Sequence, residues 1–420
     1  SEPAYSDPMT NTEARVSGPE PFRVYGYRWV VLLSFMFIAG MNQLLWITFA
    51  PITGAAAQFY HTSDLTIGLL SMSFMAVYIV LVIPSAWMID TLGFRTAVGI
   101  GAVLTAVFAL TRGLFAGSFP LVFASQIGIA MGQPLIVGAV TKVAAAWFPT
   151  KERATAAGLG TLAVYLGILI GMLITPALEV KHGMASTLLI YGIVAVVAAL
   201  CFFVFAKAKP ATPPCPAGQD VRVLMFDGLK QMLRQRDFLL LLAIFFIGLG
   251  IFNGVSTWIE TIVRPRGFSI SQAGLLGGLM LIGGIIGAVV MPILSDRARR
   301  RKPYIILSLC GLLPGLAGMA FATNYWLLLA SGFVFGFFLL SSGPIGFQFG
   351  AELTHPAPEG TSNSLLMVMG QISGIVFIFG MDALKSPATG AMTGSLLALL
   401  GLTALCILLS TLIKERPLGC

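Results

Sequence analysis

Two acid–base strings stand out for the chemistry their spacing allows. WMIDTLGFR carries Asp90, Gly93 and Arg95, and PILSDRARRRK carries Asp296, Arg297 and Arg300. The two aspartates lie 206 residues apart, close to half of a 420-residue chain. An Asp at the end of an apolar segment, with Arg just beyond, can form a latch between helices that holds in one conformation and releases in another. The plainer alternative is an ordinary ion pair at a membrane interface. A second group is aromatic and amide. Asn42, Gln43 and Trp46 fall within about one helical turn, and positions 42 and 46 share a face by their i, i+4 spacing. Tyr78, Gln133, Tyr165, Phe252, Asn253 and Gln371 lie near the centres of other apolar segments. Aromatic faces attract cations through the ring quadrupole, which suits a quaternary ammonium with no N–H to donate. An amide carbonyl such as that of Gln371 can face the cation or a hydroxyl. Each residue also has a structural alternative. Trp46 can anchor at an interface, Gln371 can bond a neighbouring helix, Tyr165 and Phe252 can pack, and Asn42, Gln43 and Gln133 can join helices.

The elements that position these residues follow from composition. The chain is 57% hydrophobic and only 10% charged, against about 25% charged in soluble domains. Its mean hydropathy is +0.91. Spans of about 20 apolar residues are predicted at 28–52, 65–89, 96–117, 120–148, 154–177 and 185–206. A second set is predicted at 238–261, 272–295, 303–322, 326–350, 361–383 and 391–413. The expected fold is an all-α membrane protein with twelve transmembrane helices in two pseudo-symmetric six-helix bundles. Its parts are a disordered polar tail (1–26) without a signal peptide's basic start and apolar core, a first bundle (27–206), a linker (207–237), a second bundle (238–413) and a short tail (414–420). The linker opens with the Pro-rich KPATPPCPAGQD. It continues with Val223, Phe226, Leu229 and Leu233 among basic residues, a pattern for an amphipathic surface helix.

Charge placement orients the chain. With both termini in the cytoplasm, 19 of the 25 Lys and Arg fall inside and five outside, with Lys142 within the inner half of span four. That satisfies the positive-inside rule, so the net charge of +8 calls for no nucleic-acid partner. The five cysteines show no metal spacing and imply no structural disulfides. No phosphate-binding Walker A string, nucleophile elbow or HExxH occurs, so no enzyme activity and no cofactor are expected. Ionisable residues avoid the span centres. Asp90, Glu352 and Lys142 lie towards inner ends, and Arg112, Glu260 and Asp382 towards outer ends. A central cavity without Lys or Arg suits carboxylates and phosphates poorly, and one without Asp, Glu or His lacks a central proton carrier.

Twelve spans in two halves, each with its Asp–Arg string, resemble the major facilitator superfamily over residues 28–413. Further strings resemble the feline leukaemia virus subgroup C receptor family of solute carriers. These are YRWVVLLSFMF with NQLLWITFAPI, GQP with KVAAAWF, VSTWIE, and FGAELTHPAPEGTSNSLLMVMGQISGI. Members of that family are facilitators associated with choline and ethanolamine, and earlier with haem export. The resemblance places that family's span-one tryptophan on Trp46 and its span-eleven glutamine on Gln371. Tyr165 stands where the family has a glutamine. The family's span-seven tyrosine falls on or beside Asn253, with Phe252 adjacent.

The expected function is therefore facilitative, uniport-type movement of a small organic cation of the choline and ethanolamine class by alternating access. Residues 90–95 and 296–302 would gate the cytoplasmic side of a monomer in the plasma (inner) membrane. One rival is a proton-coupled efflux pump for lipophilic compounds or haem, with Glu260 or Asp382 as carrier. Another is a transport-inactive receptor or sensor of the same fold.

Overall fold

The computed structural model describes residues 22–216 and 221–415. The expected tails, at 1–26 and 414–420, lie largely outside them. Twelve helices are long and apolar enough to cross a membrane: Arg28–Tyr60, Asp64–Leu92, Phe94–Leu114, Phe119–Trp147, Thr150–His182 and Met184–Phe205, then Arg236–Thr257, Ile270–Ala298, Lys302–Phe321, Tyr325–Thr354, Glu359–Ala383 and Thr393–Leu412. They are called spans 1 to 12 below. Six precede the linker and six follow it, as the hydropathy pattern requires.

Local chemistry sets their ends. Ser63 caps span 2 by accepting the Thr66 N–H, and Ser269 with Gln272 forms a capping box at span 8. Spans 2 and 8 both end on a residue with positive φ three positions after the aspartate. Gly93 has φ 81° and Arg299 has φ 53°. The duplicated string thus encodes a duplicated chain reversal, made by Gly in one half and by a left-handed Arg in the other.

Two spans are not single unbroken helices. Span 1 runs eight residues beyond Ile52, to Tyr60, and breaks after Ile47 into a 3-10 turn over Ala50–Ile52. Pro51, lacking an N–H, cannot continue the helical ladder there. Span 4 is interrupted between Val137 and Val140, at Gly138 and Ala139. The linker differs more. The predicted amphipathic helix is reduced to Leu229–Met232, because residues 221–228 take an irregular path on which two backbone N–H groups bond elsewhere.

Helices approach closely at small residues, as membrane packing favours. A Cβ on Gly167 of span 5 would lie 2.0 Å from the Gly40 carbonyl oxygen of span 1. The halves meet along spans 5 and 8, where a Cβ on Gly274 would lie 2.5 Å from the Met172 oxygen, and along spans 2 and 11. One end of the bundle carries both described termini and the linker; it is called the terminal face, and its counterpart the opposite face.

Candidate functional site

Between described residues, every hydrogen bond and ion pair that joins the two halves directly lies at the opposite face. Asp64 of span 2 meets Arg264 at 2.9 Å and Lys385 at 3.4 Å. Arg264 also binds Glu260 through Nε at 2.9 Å, and the Gly54 N–H donates to Glu260 at 3.1 Å. Glu260 is buried, and these partners satisfy its carboxylate oxygens. Burial alone would lower the Arg264 pKa, but the hydrogen bonds it donates to Glu260 and Asp64 and their negative charges raise it. Arg264 is a permanent cation in this cluster. Asp382 pairs with Lys385 at 3.3 Å. Both carboxylates considered as proton carriers are therefore already held by cations.

Beneath the charges lies an apolar seal. The Trp258 indole is fully buried, donates to the Ile378 oxygen at 3.1 Å and packs against Gly68, where a Cβ would lie 2.5 Å from the ring. One layer deeper, a Cβ on Gly374 would lie 2.5 Å from Met75 Sδ and 2.9 Å from Asn253 Nδ2. Asn253 also donates to the Gly370 oxygen at 3.2 Å. Spans 2, 7 and 11 thus converge on one point.

Several predicted site residues gather on the terminal side of that point. Tyr78 is one turn from Met75, and Gln371 is one turn from Gly374. Tyr165 lies two turns from Met172, on the stripe of span 5 that faces span 8. Tyr78, Tyr165, Phe252, Gln371 and Gln133 all remain partly exposed. Gln133 Oε1 has no hydrogen-bond partner among the described residues.

Span 1 shows how its neighbours divide its faces. Gly40, Leu44 and Ile47 pack on span 5. Asn42 is fully buried and donates to Thr105 Oγ1 at 3.0 Å and the Ile129 oxygen at 3.3 Å, inside the first bundle. Gln43 and Trp46 fall on the wedge between these faces. Gln43 donates to Asn42 Oδ1 at 3.3 Å. Trp46 donates its indole N–H to the Ser71 oxygen at 3.1 Å and is 4% exposed. That bond ties its edge to span 2, one turn from Met75.

The two Asp–Arg strings prove unequal in their partners. Both Asp90 oxygens accept linker N–H groups, from Val223 and Leu224, at 2.8 Å each, and Lys142 lies 3.4 Å away. Arg95 instead donates to the Ala206 and Phe203 oxygens at the end of span 6. Asp296 pairs with Arg301, which is buried and also holds Glu352 at 3.0 Å. Arg297 is exposed, and Arg300 reaches Glu415 at 3.7 Å. Neither Asp90 nor Asp296 pairs with the Arg residues of its own string that the spacing singled out.

Several residues matter beyond those singled out from sequence. Asp64, Arg264 and Lys385 lie too far apart in the chain for spacing to join them. Trp258 sits in VSTWIE without a spacing signal of its own. Arg112 is fully buried with no carboxylate partner among the described residues. It donates to the Leu45 oxygen at 3.1 Å and Gln126 Oε1 at 2.9 Å, and its guanidinium lies 5.4 Å from the Phe49 ring centroid. Leu45 lies in the last turn of the first helical segment, where carbonyls carry partial negative charge. That explains how the cation is tolerated and why it sits at the break that follows Trp46.

Two six-helix bundles sealed at one face around a central aromatic and amide layer define a membrane transporter of the major facilitator kind. The Major Facilitator Superfamily model matches residues 31–378. The chain belongs to that superfamily and, within it, to solute carrier family 49. It is 32% identical over 411 residues to "Solute carrier family 49 member A3" of Danio rerio, covering 92% of this chain and 86% of that protein. It is 29% identical over 385 residues to "Choline/ethanolamine transporter FLVCR2" of Homo sapiens, covering 86% and 73%. Among solved structures, a bacterial homologue of the human lysosomal transporter Spinster, titled inward-facing and unoccupied, superposes with TM-score 0.74 at 15% identity, covering 94% of this chain and 100% of that one. The expected superfamily fold and the resemblance to the feline leukaemia virus receptor family are therefore both borne out.

Proposed function

We propose that the protein is a facilitative uniporter for a small organic cation of the choline and ethanolamine class, working by alternating access. The terminal face is cytoplasmic in this reading, so the present arrangement, latched at the opposite face, is inward-open. The observation that carries the proposal is the Met75–Gly374–Asn253 contact beneath the seal: Trp46 bonds span 2 one turn to one side of it, and Tyr78 and Gln371 lie one turn to the other. No Asp, Glu, Lys, Arg or His lies within four residues of any of them in the sequence. Aromatic faces and an amide carbonyl suit a cation that is bound but not neutralised. Such a cation leaves again without breaking a buried ion pair. The carboxylates that could carry a proton, Glu260 and Asp382, are engaged by Arg264 and Lys385 at the opposite face, which supports uniport over proton coupling. The choline/ethanolamine transporters among its relatives point to the same substrate class.

Thermal stabilisation of the purified protein tests the substrate class directly. Choline or ethanolamine should raise the melting temperature in a saturable way, and betaine, neutral amino acids and haem should do so less. Stabilisation by a dicarboxylate or a phosphate ester in preference to either amine would contradict the reading.

A further inference from the structure

The turn between spans 8 and 9 carries five consecutive or near-consecutive cations, and the structure spends them unequally. Arg301 turns inward to Asp296 and Glu352. Lys302 donates to the Thr411 oxygen at the end of span 12, at 2.9 Å. Arg297 and Arg299 are exposed and have no ion pair among the described residues. Arg300 is 65% exposed and only 3.7 Å from its one carboxylate, Glu415. The equivalent turn of the first half holds a single cation, Arg95, already occupied by two carbonyls. Topology alone asks for positive charge on this face, but it does not ask for two unpaired arginines and a third held only loosely at one turn.

Arg300 lines a groove, and Arg297 and Arg299 flank its lining residue Ala298 in the sequence. Ala298, Arg300, Pro303, Tyr304 and Leu307 line this open groove of about 360 Å³ between the end of span 8 and the start of span 9. Its walls are apolar apart from the guanidinium and the Tyr304 phenol. Leu307 is 49% exposed, and Val290, Ile293 and Leu294 are exposed along the last turns of span 8 that lead to the groove. Arg297 continues the stripe of Val290 and Ile293 by its seven- and four-residue spacing. The feature therefore runs from an acyl-chain surface to a cationic rim within two helical turns. Arginine presents paired N–H donors that match phosphate oxygens.

We propose that this groove binds the phosphorylated headgroup of an anionic phospholipid from the adjoining leaflet, with Arg297, Arg299 and Arg300 on the phosphates and one acyl chain along Leu307. The proposal is independent of which substrate the central layer carries. Free inositol phosphates share the headgroup chemistry but lack the chain, so the two sources separate in one experiment.

Native mass spectrometry of the detergent-solubilised full chain would measure binding of short-chain phosphatidylinositol bisphosphate, short-chain phosphatidylcholine and inositol trisphosphate. The anionic lipid should bind at least about tenfold more tightly than either of the others. Replacing Arg297, Arg299 and Arg300 together by Gln should abolish that preference. The charge-matched triple Arg222→Gln, Lys230→Gln and Arg234→Gln, on exposed linker residues of the same face, should leave it within about twofold. Leu307→Trp keeps every charge and should weaken the lipid but not the inositol phosphate. Equal losses in the two triples would reduce the effect to general surface charge and overturn the site. So would an unchanged Leu307→Trp, or an inositol phosphate that binds as tightly as the lipid.

Discussion

The Trp46 N–H fixes the side chain to Ser71 of span 2, and its ring is proposed to attract the substrate. Cation–π attraction is worth about 2 kcal/mol or more when desolvated, and about 1.4 kcal/mol is a factor of ten in affinity. Trp46→Ala should therefore weaken choline by at least about tenfold, while Trp46→Phe keeps a π-face and part of the affinity. Unchanged affinity in folded Trp46→Ala would mean that the tryptophan only packs. Arg112 makes a contrasting case. Arg112→Met leaves the Leu45 carbonyl and Gln126 Oε1 without their donor, each at about 1–3 kcal/mol. It should lower the melting temperature clearly, and an unaltered melting curve would refute its bracing role. At this scale the residue types were legible in the sequence, but their directions were not. Asn42 and Trp46 share a helical face by spacing, yet Asn42 bonds spans 3 and 4 while Trp46 bonds span 2. Only the neighbouring helices decide between those outcomes.

Twelve apolar runs made the spans legible, and the repeated Asp–Arg string marked the duplication. The strings' partners were not legible, because hydrogen bonding to a linker leaves no periodic trace. Asp90 accepts two backbone N–H groups across 133 and 134 residues. This joins span 2 to a segment whose Gly228 packs against Ala357 and whose Met225 approaches Gly360, at the start of span 11. The linker thus straps the two halves at the terminal face. An Asn at position 90 offers one carbonyl oxygen instead of two. Asp90→Asn should accelerate hydrogen exchange at Val223 and Leu224, and Asp296→Asn should not. If both amides stayed protected in Asp90→Asn, the strap would not depend on this carboxylate.

Across the whole molecule, the proposed alternating access makes the opposite-face cluster and the terminal-face strap opposing weights on one balance between two arrangements of the halves. Glu260 is buried against a partly exposed Arg264, so removing the arginine leaves a buried carboxylate without its cation. Arg264→Gln should therefore weaken closure and populate an arrangement with the opposite face apart. Spin labels at Gly183 and Gly267, on loops of the two halves at that face, would report it as a longer distance. An unchanged distance distribution would show that the apolar seal at Trp258 suffices alone. Hydropathy made the two-bundle architecture legible. The closure was not, because Asp64, Arg264 and Lys385 meet only after both bundles have folded.

The central claim is that a small organic cation crosses this protein down its own electrochemical gradient. Uptake of radiolabelled choline into proteoliposomes, with membrane voltage clamped and the proton gradient either present or collapsed, tests it most directly. Saturable uptake above that of protein-free vesicles, following the imposed voltage and equal with and without the proton gradient, is the predicted result. Uptake that vanishes when the proton gradient is collapsed, or never exceeds protein-free vesicles while choline still binds, would contradict it.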